Sequence, residues 1–121
     1  MNLDVFTRQY IETALWSTHD ESTPSGGEPF DANYDINDIH PDTMTKIVQD
    51  CKKFQEENAN DIGDRYEDAG HDFLLTRNGH GCGFFEIPDW EEQIGERLTD
   101  AAHKFGEFNL YVGDDGLIYG G

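Results

Sequence analysis

Basic residues are scarce in this sequence: eight Lys and Arg stand against 26 Asp and Glu, which gives a formal net charge of −18 over 121 residues. Proteins that bind DNA or RNA electrostatically neutralise the phosphates with Lys and Arg side chains, so the composition argues against direct nucleic-acid binding. It argues equally against adhesion to anionic lipid. The same charge favours a basic protein partner, or the nucleic-acid-binding groove of another protein.

Cysteines and long apolar runs are also few. Cys51 and Cys82 are the two cysteines, too few for a disulfide framework, and we expect both to be free thiols in a reducing compartment. No apolar run approaches the roughly 18 residues of a transmembrane helix, and the first residues lack the basic and apolar regions of a signal peptide. These absences favour a cytoplasmic protein without membrane contact.

Hydrophobic residues (36%) and aromatic residues (12%) are nevertheless frequent enough for a packed core. A chain of this length suits one domain over residues 1–121.

The excess of carboxylates predicts a stability that depends on salt. Like charges at this density repel one another and destabilise the compact state, and exposed charges are screened beyond about 10 Å at 0.1 M salt. We expect the melting temperature to rise when moderate NaCl is added, as measured by thermal denaturation. A melting temperature that stays flat or falls would contradict a densely charged surface.

Apolar residues recur at helical spacing in three segments, which predicts helices over residues 3–17, 41–58 and 89–105. Gly106 is placed to end the third helix in the left-handed conformation. Trp16 falls near the end of the first helix, where we expect it to close over the core.

Two further segments resemble β-hairpins. In residues 72–86, apolar residues flank Asn78-Gly79, a common turn dipeptide, and in residues 107–120 alternating apolar residues precede the turn signal Asp115-Gly116. The sequence therefore predicts an α+β domain. Its three helices would pack on one face of an antiparallel sheet of about four strands, built from the two hairpins.

Residues 17–40 are predicted to form a long acidic loop within the domain. This stretch contains prolines and glycines that interrupt regular structure, and it contains no Lys or Arg. At about two dozen residues it is long for a loop in a compact domain, so we expect it to be either functional or mobile.

Acidic residues concentrate in three stretches, residues 17–40, 56–72 and 86–100. If these stretches lie on one side of the domain, their carboxylates form a binding surface for a basic partner. A run of charge is more often a solvated face, so a merely soluble acidic surface is the alternative. The candidate binding residues are Asp20, Glu21, Glu28, Asp31, Asp35, Asp38, Glu56, Glu57, Asp61, Asp64, Glu67, Asp68, Glu91, Glu92 and Glu96.

The amount of charge matches a short piece of duplex DNA. B-DNA carries one negative charge per about 1.7 Å of axis, so a net charge of −18 corresponds to roughly 30 Å of duplex, or about nine base pairs. That length is close to the diameter of a domain whose radius of gyration is about 14 Å. The chain is therefore a candidate DNA mimic that occupies a nucleic-acid-binding groove.

The glycine-rich loop over residues 77–83 is the strongest candidate for small-molecule chemistry. Its glycines allow close approach of the backbone to a ligand, while Arg77, His80 and Cys82 offer a cation, a base and a nucleophile. The loop lacks the Gly-Lys-Ser/Thr of a phosphate-binding P-loop, so a plain hairpin turn is the competing interpretation.

Metal and cofactor sites are not predicted. The run from Asp31 to Asn37 begins like an EF-hand calcium loop, but its sixth position is Ile36 rather than Gly and its twelfth is Asp42 rather than Glu. His80 and Cys82 are a single pair of possible zinc ligands without a second pair. We therefore predict no metal and no cofactor.

Four segments resemble small acidic proteins encoded in tailed-phage genomes: YIETALWS (residues 10–17), AGHDFLLTRNGHG (69–81), GERLT (95–99) and LYVGDDGLIY (110–119). The resemblance spans most of the chain apart from residues 17–40, and it implies no catalytic residue. It implies expression in the bacterial cytoplasm during infection. Small acidic phage proteins often inhibit host enzymes by binding them, sometimes as DNA mimics.

The leading hypothesis is therefore a non-enzymatic phage protein that binds and inhibits a basic or nucleic-acid-binding host protein. Two alternatives stay open at this stage. One is a small-ligand or metal-binding domain that uses the loop over residues 77–83, and the other is a structural or assembly protein of the phage.

Overall fold

Five α-helices dominate the described part of the chain in this computed structural model, which describes residues 3–20, 28–79, 84 and 90–121. Four short strands accompany them. In chain order, the elements are α1 (Val5–Ser17), β1 (His19–Asp20), β2 (Glu28–Pro29), α2 (Pro41–Glu57), α3 (Ala59–Ile62), α4 (Tyr66–Arg77), α5 (Glu92–His103), β3 (Leu110–Val112) and β4 (Ile118–Gly120).

Helix α1 confirms the helix predicted over residues 3–17. Asp4 caps it, because its carboxylate accepts a hydrogen bond of 2.8 Å from the backbone N–H of Thr7. The apolar stripe that includes Phe6 and Tyr10 is fully buried. The expectation for Trp16 was wrong, since its side chain is 44% exposed.

The predicted four-stranded sheet is absent from the described residues, because residues 72–77, predicted as the first strand and start of the turn, belong to helix α4. Most of the predicted return strand, residues 80–83 and 85–86, lies outside the described residues. All of residues 72–77 are buried in this helix. A helix that is buried all round has no polar face, so its apolar residues do not recur at 3.6-residue spacing. The short run Phe73-Leu74-Leu75 is then equally compatible with a strand.

The prediction for residues 107–120 was correct as a hairpin. Strands β3 and β4 pair antiparallel, with Tyr111 opposite Tyr119. Strands β1 and β2 form a separate two-stranded ladder, with His19 opposite Pro29. The fold class was thus wrong: the described chain is a helical assembly with two small hairpin ladders rather than helices on a continuous sheet.

Helix α4 lies at the centre of the helical assembly, directly against α1. Gly70 makes this contact possible, since a Cβ added there would lie 2.3 Å from the carbonyl oxygen of Phe6. The rings of Phe54 from α2 and Phe73 from α4 stack with centroids 4.1 Å apart. Phe105 then meets Phe73 edge-on at 5.1 Å, so one aromatic core joins α1, α2, α4 and the end of α5.

Helices α2 and α5 confirm the predictions over residues 41–58 and 89–105, with α5 beginning at Glu92. Gly106 follows α5 with φ +73°, the left-handed conformation that was expected there. None of the helices among the described residues is long and apolar enough to cross a bilayer.

The stretch predicted as a long loop, residues 17–40, is partly regular. Beyond the strands β1 and β2 it forms two 3-10 turns, Phe30–Ala32 and Ile36–Asp38. Residues 21–27 lie outside the described residues. The backbone of Ile39 then forms a parallel bridge to Ile118, which ties this stretch to the C-terminal hairpin.

Candidate functional site

A groove runs between α1 and the 3-10 turns of residues 30–38. It encloses about 490 Å³, within the range of small-ligand and peptide-anchor pockets. Ile11 and Leu15 line it from α1, Ile36 lines it from the opposite wall, and the exposed ring of Trp16 also borders it. The groove therefore combines an apolar lining with a large aromatic side chain that the fold leaves open.

The wall opposite α1 is held in place by local hydrogen bonds. The N–H of Phe30 donates to the carbonyl of Thr18 at 3.0 Å, and the N–H of Tyr34 donates to the carbonyl of Phe30 at 2.9 Å. The Phe30 ring is buried and lies 5.7 Å from the Tyr34 ring. Asp35 and Asp38 form a reciprocal capping box around the second turn. The groove is thus preformed rather than assembled by a ligand.

The rim of this groove is mostly negative. Glu12, Asp31 and Asp35 line it with exposed side chains, against one cation, Arg8. Within the described part of the chain, none of these four groups takes part in an ion pair. The rim carboxylates are therefore available to a cationic partner.

A second acidic region forms where α3 meets α5. Arg97 of α5 grips Asp61 of α3 through two hydrogen bonds of 2.7 and 2.9 Å, which hold the pKa of the Asp61 carboxyl below its ordinary value. Glu56 and Glu57 line a depression of about 500 Å³ beside this pair. The hydrogen bond and the charge of Asp61 are the main causes that raise the pKa of Arg97, and Glu91 is close enough to add to this rise. We call Glu56, Glu57, Asp61, Asp68 and Glu91 the acidic face.

Arg65 connects the start of α4 to this acidic face. Its guanidinium donates to the carboxylate of Asp68 at 3.0 Å and lies over the ring of Trp90, 4.0 Å from the centroid. Since Trp90 directly precedes Glu91, this contact places the segment before α5 beside the start of α4. Two of the predicted acidic stretches, residues 56–72 and 86–100, therefore converge in the structure.

A buried polar cluster lies between the groove and the acidic face. The indole N–H of Trp90 donates to Asp72 at 2.7 Å, and Nδ1 of His71 lies 2.9 Å from the other oxygen of the same carboxyl. Burial raises the pKa of Asp72, and the hydrogen bonds from His71 and Trp90 offset only part of that rise. The His71 ring contacts the ring of Trp16, with centroids 5.9 Å apart. Side-chain contacts thus run from the groove to Arg65.

Arg77, which was predicted to be the cation of a ligand-binding loop, instead stabilises the fold. It is the last residue of α4 and is 3% exposed. Its guanidinium donates to Tyr10, Asp50 and the carbonyls of Phe105 and Gly106, at 2.7 to 3.1 Å. Four of its five N–H donors are thus used within the fold, which leaves little for a ligand.

The other predicted loop residues, His80 and Cys82, lie outside the described residues. Cys51 is a free thiol as expected, and burial raises its pKa, which suits a core residue rather than a nucleophile. The described residues contain no group of three or more His, Cys, Asp or Glu placed to hold a metal ion.

Seven of the fifteen predicted acidic residues belong to two separate regions, and the other eight belong to neither. Asp31 and Asp35 line the groove rim, while Glu56, Glu57, Asp61, Asp68 and Glu91 form the acidic face. Asp20 lies in β1, Glu21 lies outside the described residues, and Asp38 is half-buried. The remaining predicted residues are exposed: Glu28, Asp64, Glu67, Glu92 and Glu96.

The groove and the cluster around Asp72 were not predicted. Sequence reasoning placed Trp16 in the core, and it had no signal for the pairing of Asp72 with Trp90, which are 18 residues apart. An aromatic residue that falls off the apolar stripe of an amphipathic helix is the one local sign that was available.

Comparison of the chain with models of known protein families, with curated proteins and with solved structures finds no match. The resemblance to small acidic proteins of tailed phages therefore stays a prediction, and the site is interpreted from its own geometry.

Proposed function

We propose that this protein acts as a non-enzymatic binding protein whose acidic surface engages a basic protein. The partner we propose is a host protein with a basic or nucleic-acid-binding surface, in the cytoplasm of a phage-infected bacterium. Inhibition would follow because the partner's cationic surface is covered.

The convergence of separate acidic stretches around Arg65 and Arg97 carries this proposal. Glu56 of α2 and Asp61 of α3 line one depression beside Arg97, Asp68 of α4 pairs with Arg65, and Glu91 lies within electrostatic reach of Arg97. At the same time, four of the eight cations are used inside the chain, since Lys46, Arg65, Arg77 and Arg97 all pair with its own aspartates. The exposed charge is therefore strongly negative over an extended area, which steers a basic partner and speeds its encounter.

DNA mimicry is the sharper form of the same proposal. It is supported by the total charge and by the number of exposed carboxylates. Two carboxylates of the acidic face, Asp61 and Asp68, each form an ion pair with an arginine of the same chain. A partner that reads phosphate-like spacing would therefore rely mainly on Glu56, Glu57 and Glu91. Competition between duplex DNA and this protein for the isolated partner separates mimicry from simple charge attraction.

The test is capture from bacterial lysate on the immobilised protein at low and high salt, followed by affinity measurement with the purified captured protein. We expect a basic protein to be retained at low salt and released at high salt. Glu56→Gln with Glu91→Gln should weaken its affinity about three- to tenfold, because each exposed charge pair contributes up to about 1 kcal/mol.

The matched control is Glu107→Gln with Asp114→Asn, which removes the same charge from exposed sites near the C-terminal hairpin. It should change the affinity by less than about twofold, since screening limits the reach of distant charges. An equal loss with both double variants would contradict a defined acidic face. Failure to retain any basic protein at low salt would overturn the proposed function.

A further inference from the structure

We infer that the groove between α1 and the 3-10 turns binds a short segment of the partner in which an apolar residue is flanked by Lys or Arg. This inference rests on the proposed function and specifies the kind of sequence that the partner presents. The acidic face attracts the partner by charge, whereas the groove holds one apolar side chain of the partner by fitting its shape.

The apolar part of the inference comes from Trp16 and the lining beside it. Trp16 is 44% exposed although it lies on a helix whose apolar stripe is fully buried. Tyr34 and Ile36 are partly exposed and line the same groove, whereas the lining residues Ile11 and Leu15 are almost fully buried. Tryptophan is one of the residue types enriched among those that contribute most of the binding energy at protein interfaces.

The charge of the occupant follows from the rim. The groove is lined by three carboxylates, those of Glu12, Asp31 and Asp35, and by one guanidinium, that of Arg8. It therefore has an excess of negative charge. A cationic side chain beside the apolar anchor can pair with Glu12 or Asp31 and can also stack on the ring of Trp16. An apolar segment with acidic flanks would meet repulsion at the same rim.

The occupant would reach a rigid and already formed site. The opposite wall is fixed by the hydrogen bonds of Phe30 and Tyr34, so little conformational entropy is lost when the groove is filled. Trp16 also contacts His71 of the buried cluster that leads to Arg65. Through His71, the groove is thus linked to the elements that carry Arg65 and the acidic face.

The experiment uses three short peptides without tryptophan and the full-length chain, at about 0.15 M salt, where the screening length is about 8 Å. The first peptide has Leu-Phe-Leu between pairs of lysines, the second replaces Leu-Phe-Leu by Ser-Gly-Ser, and the third replaces the lysines by serines. Calorimetry measures the affinity of each peptide. The emission of Trp16, the exposed one of the two tryptophans, reports whether its ring becomes buried.

We expect the first peptide to bind at least about tenfold more tightly than either of the others, with a blue shift of tryptophan emission. Trp16→Ala should abolish this advantage. Tyr66→Ala, which removes a 48% exposed aromatic side chain from the start of α4, should retain it. Glu12→Gln with Asp31→Asn should weaken the first peptide more than the equally charged control, Glu107→Gln with Asp114→Asn.

Three results would overturn the inference. The groove is not the anchor if the first and second peptides bind alike and Trp16→Ala has no effect, but binding of both lysine peptides would leave the proposed function intact. Equal binding of the first and third peptides would show a groove indifferent to charge. If neither lysine peptide binds and no basic protein is captured from lysate, the proposed function fails as well.

Discussion

Replacement of Arg77 by methionine should lower the free energy of unfolding by about 3–5 kcal/mol, the cost of removing one partner from a buried ion pair. Methionine replaces the apolar stem of the arginine side chain with an unbranched apolar chain but lacks the guanidinium. Urea denaturation followed by far-ultraviolet circular dichroism measures the change.

The physical reason is that one guanidinium serves four acceptors from three parts of the chain. It pairs with Asp50 of α2 at 3.0 Å and donates to the hydroxyl of Tyr10 in α1, 67 residues away. It also satisfies the carbonyls of Phe105 and Gly106 just after α5. Without it, a partly buried carboxylate loses its strongest partner, and buried polar groups left unpaired cost about 1–3 kcal/mol each.

Lys46→Met is the matched control, since Lys46 lies 3.6 Å from the same carboxylate of Asp50 but is 48% exposed. It should cost less than about 1 kcal/mol, as exposed ion pairs do. Arg77→Lys should recover only part of the lost stability, because an ammonium group cannot reach all four acceptors. A cost below about 1 kcal/mol for Arg77→Met would contradict a structural role and reopen the question of a ligand-binding cation.

Replacement of Gly70 by alanine should lower the free energy of unfolding by about 1–3 kcal/mol, the usual cost of overpacking a core. The added Cβ would lie 2.3 Å from the carbonyl oxygen of Phe6 and 3.1 Å from its carbonyl carbon. These are backbone atoms of a neighbouring helix, so no side chain can rotate away. Relief requires α1 and α4 to separate.

The sign of this effect is the decisive observation. In a helix interior, alanine is ordinarily more favourable than glycine by about 0.5–1 kcal/mol. If α1 and α4 were not in such close contact, Gly70→Ala would stabilise the protein. A rise in the urea midpoint would therefore contradict the close pairing of α1 and α4.

Arg77 and Gly70 show what sequence reasoning missed and why. Both lie in α4, whose second half, residues 72–77, was interpreted as the first strand and start of the turn of a hairpin. Helices α2 and α5 were recognised because each has a solvent-exposed side and a buried side. The spacing of their apolar residues therefore follows the helix period. Helix α4 is enclosed by other elements over most of its length, and its residue pattern consequently carries no period.

The candidate site was predictable only in its ingredients. The acidic residues and their three stretches are visible in the sequence, but their grouping depends on pairs such as Arg97 and Asp61, which are 36 residues apart. The groove likewise depends on α1 meeting residues 31–36. No local pattern encodes such contacts, because they arise where elements distant in the sequence pack against one another.

The sequence by itself determined the charge and therefore the class of partner that this protein can attract. It also determined the three amphipathic helices and the final hairpin, since helical spacing, strand alternation and turn residues act over a few neighbouring positions. Only the tertiary structure decided that Arg77 is a buried structural group, that Trp16 stays open beside a groove, and that some of the acidic residues lie at the groove rim and others in the acidic face. These outcomes depend on which surfaces the central helix α4 covers, and burial of that kind is a property of the packed chain as a whole.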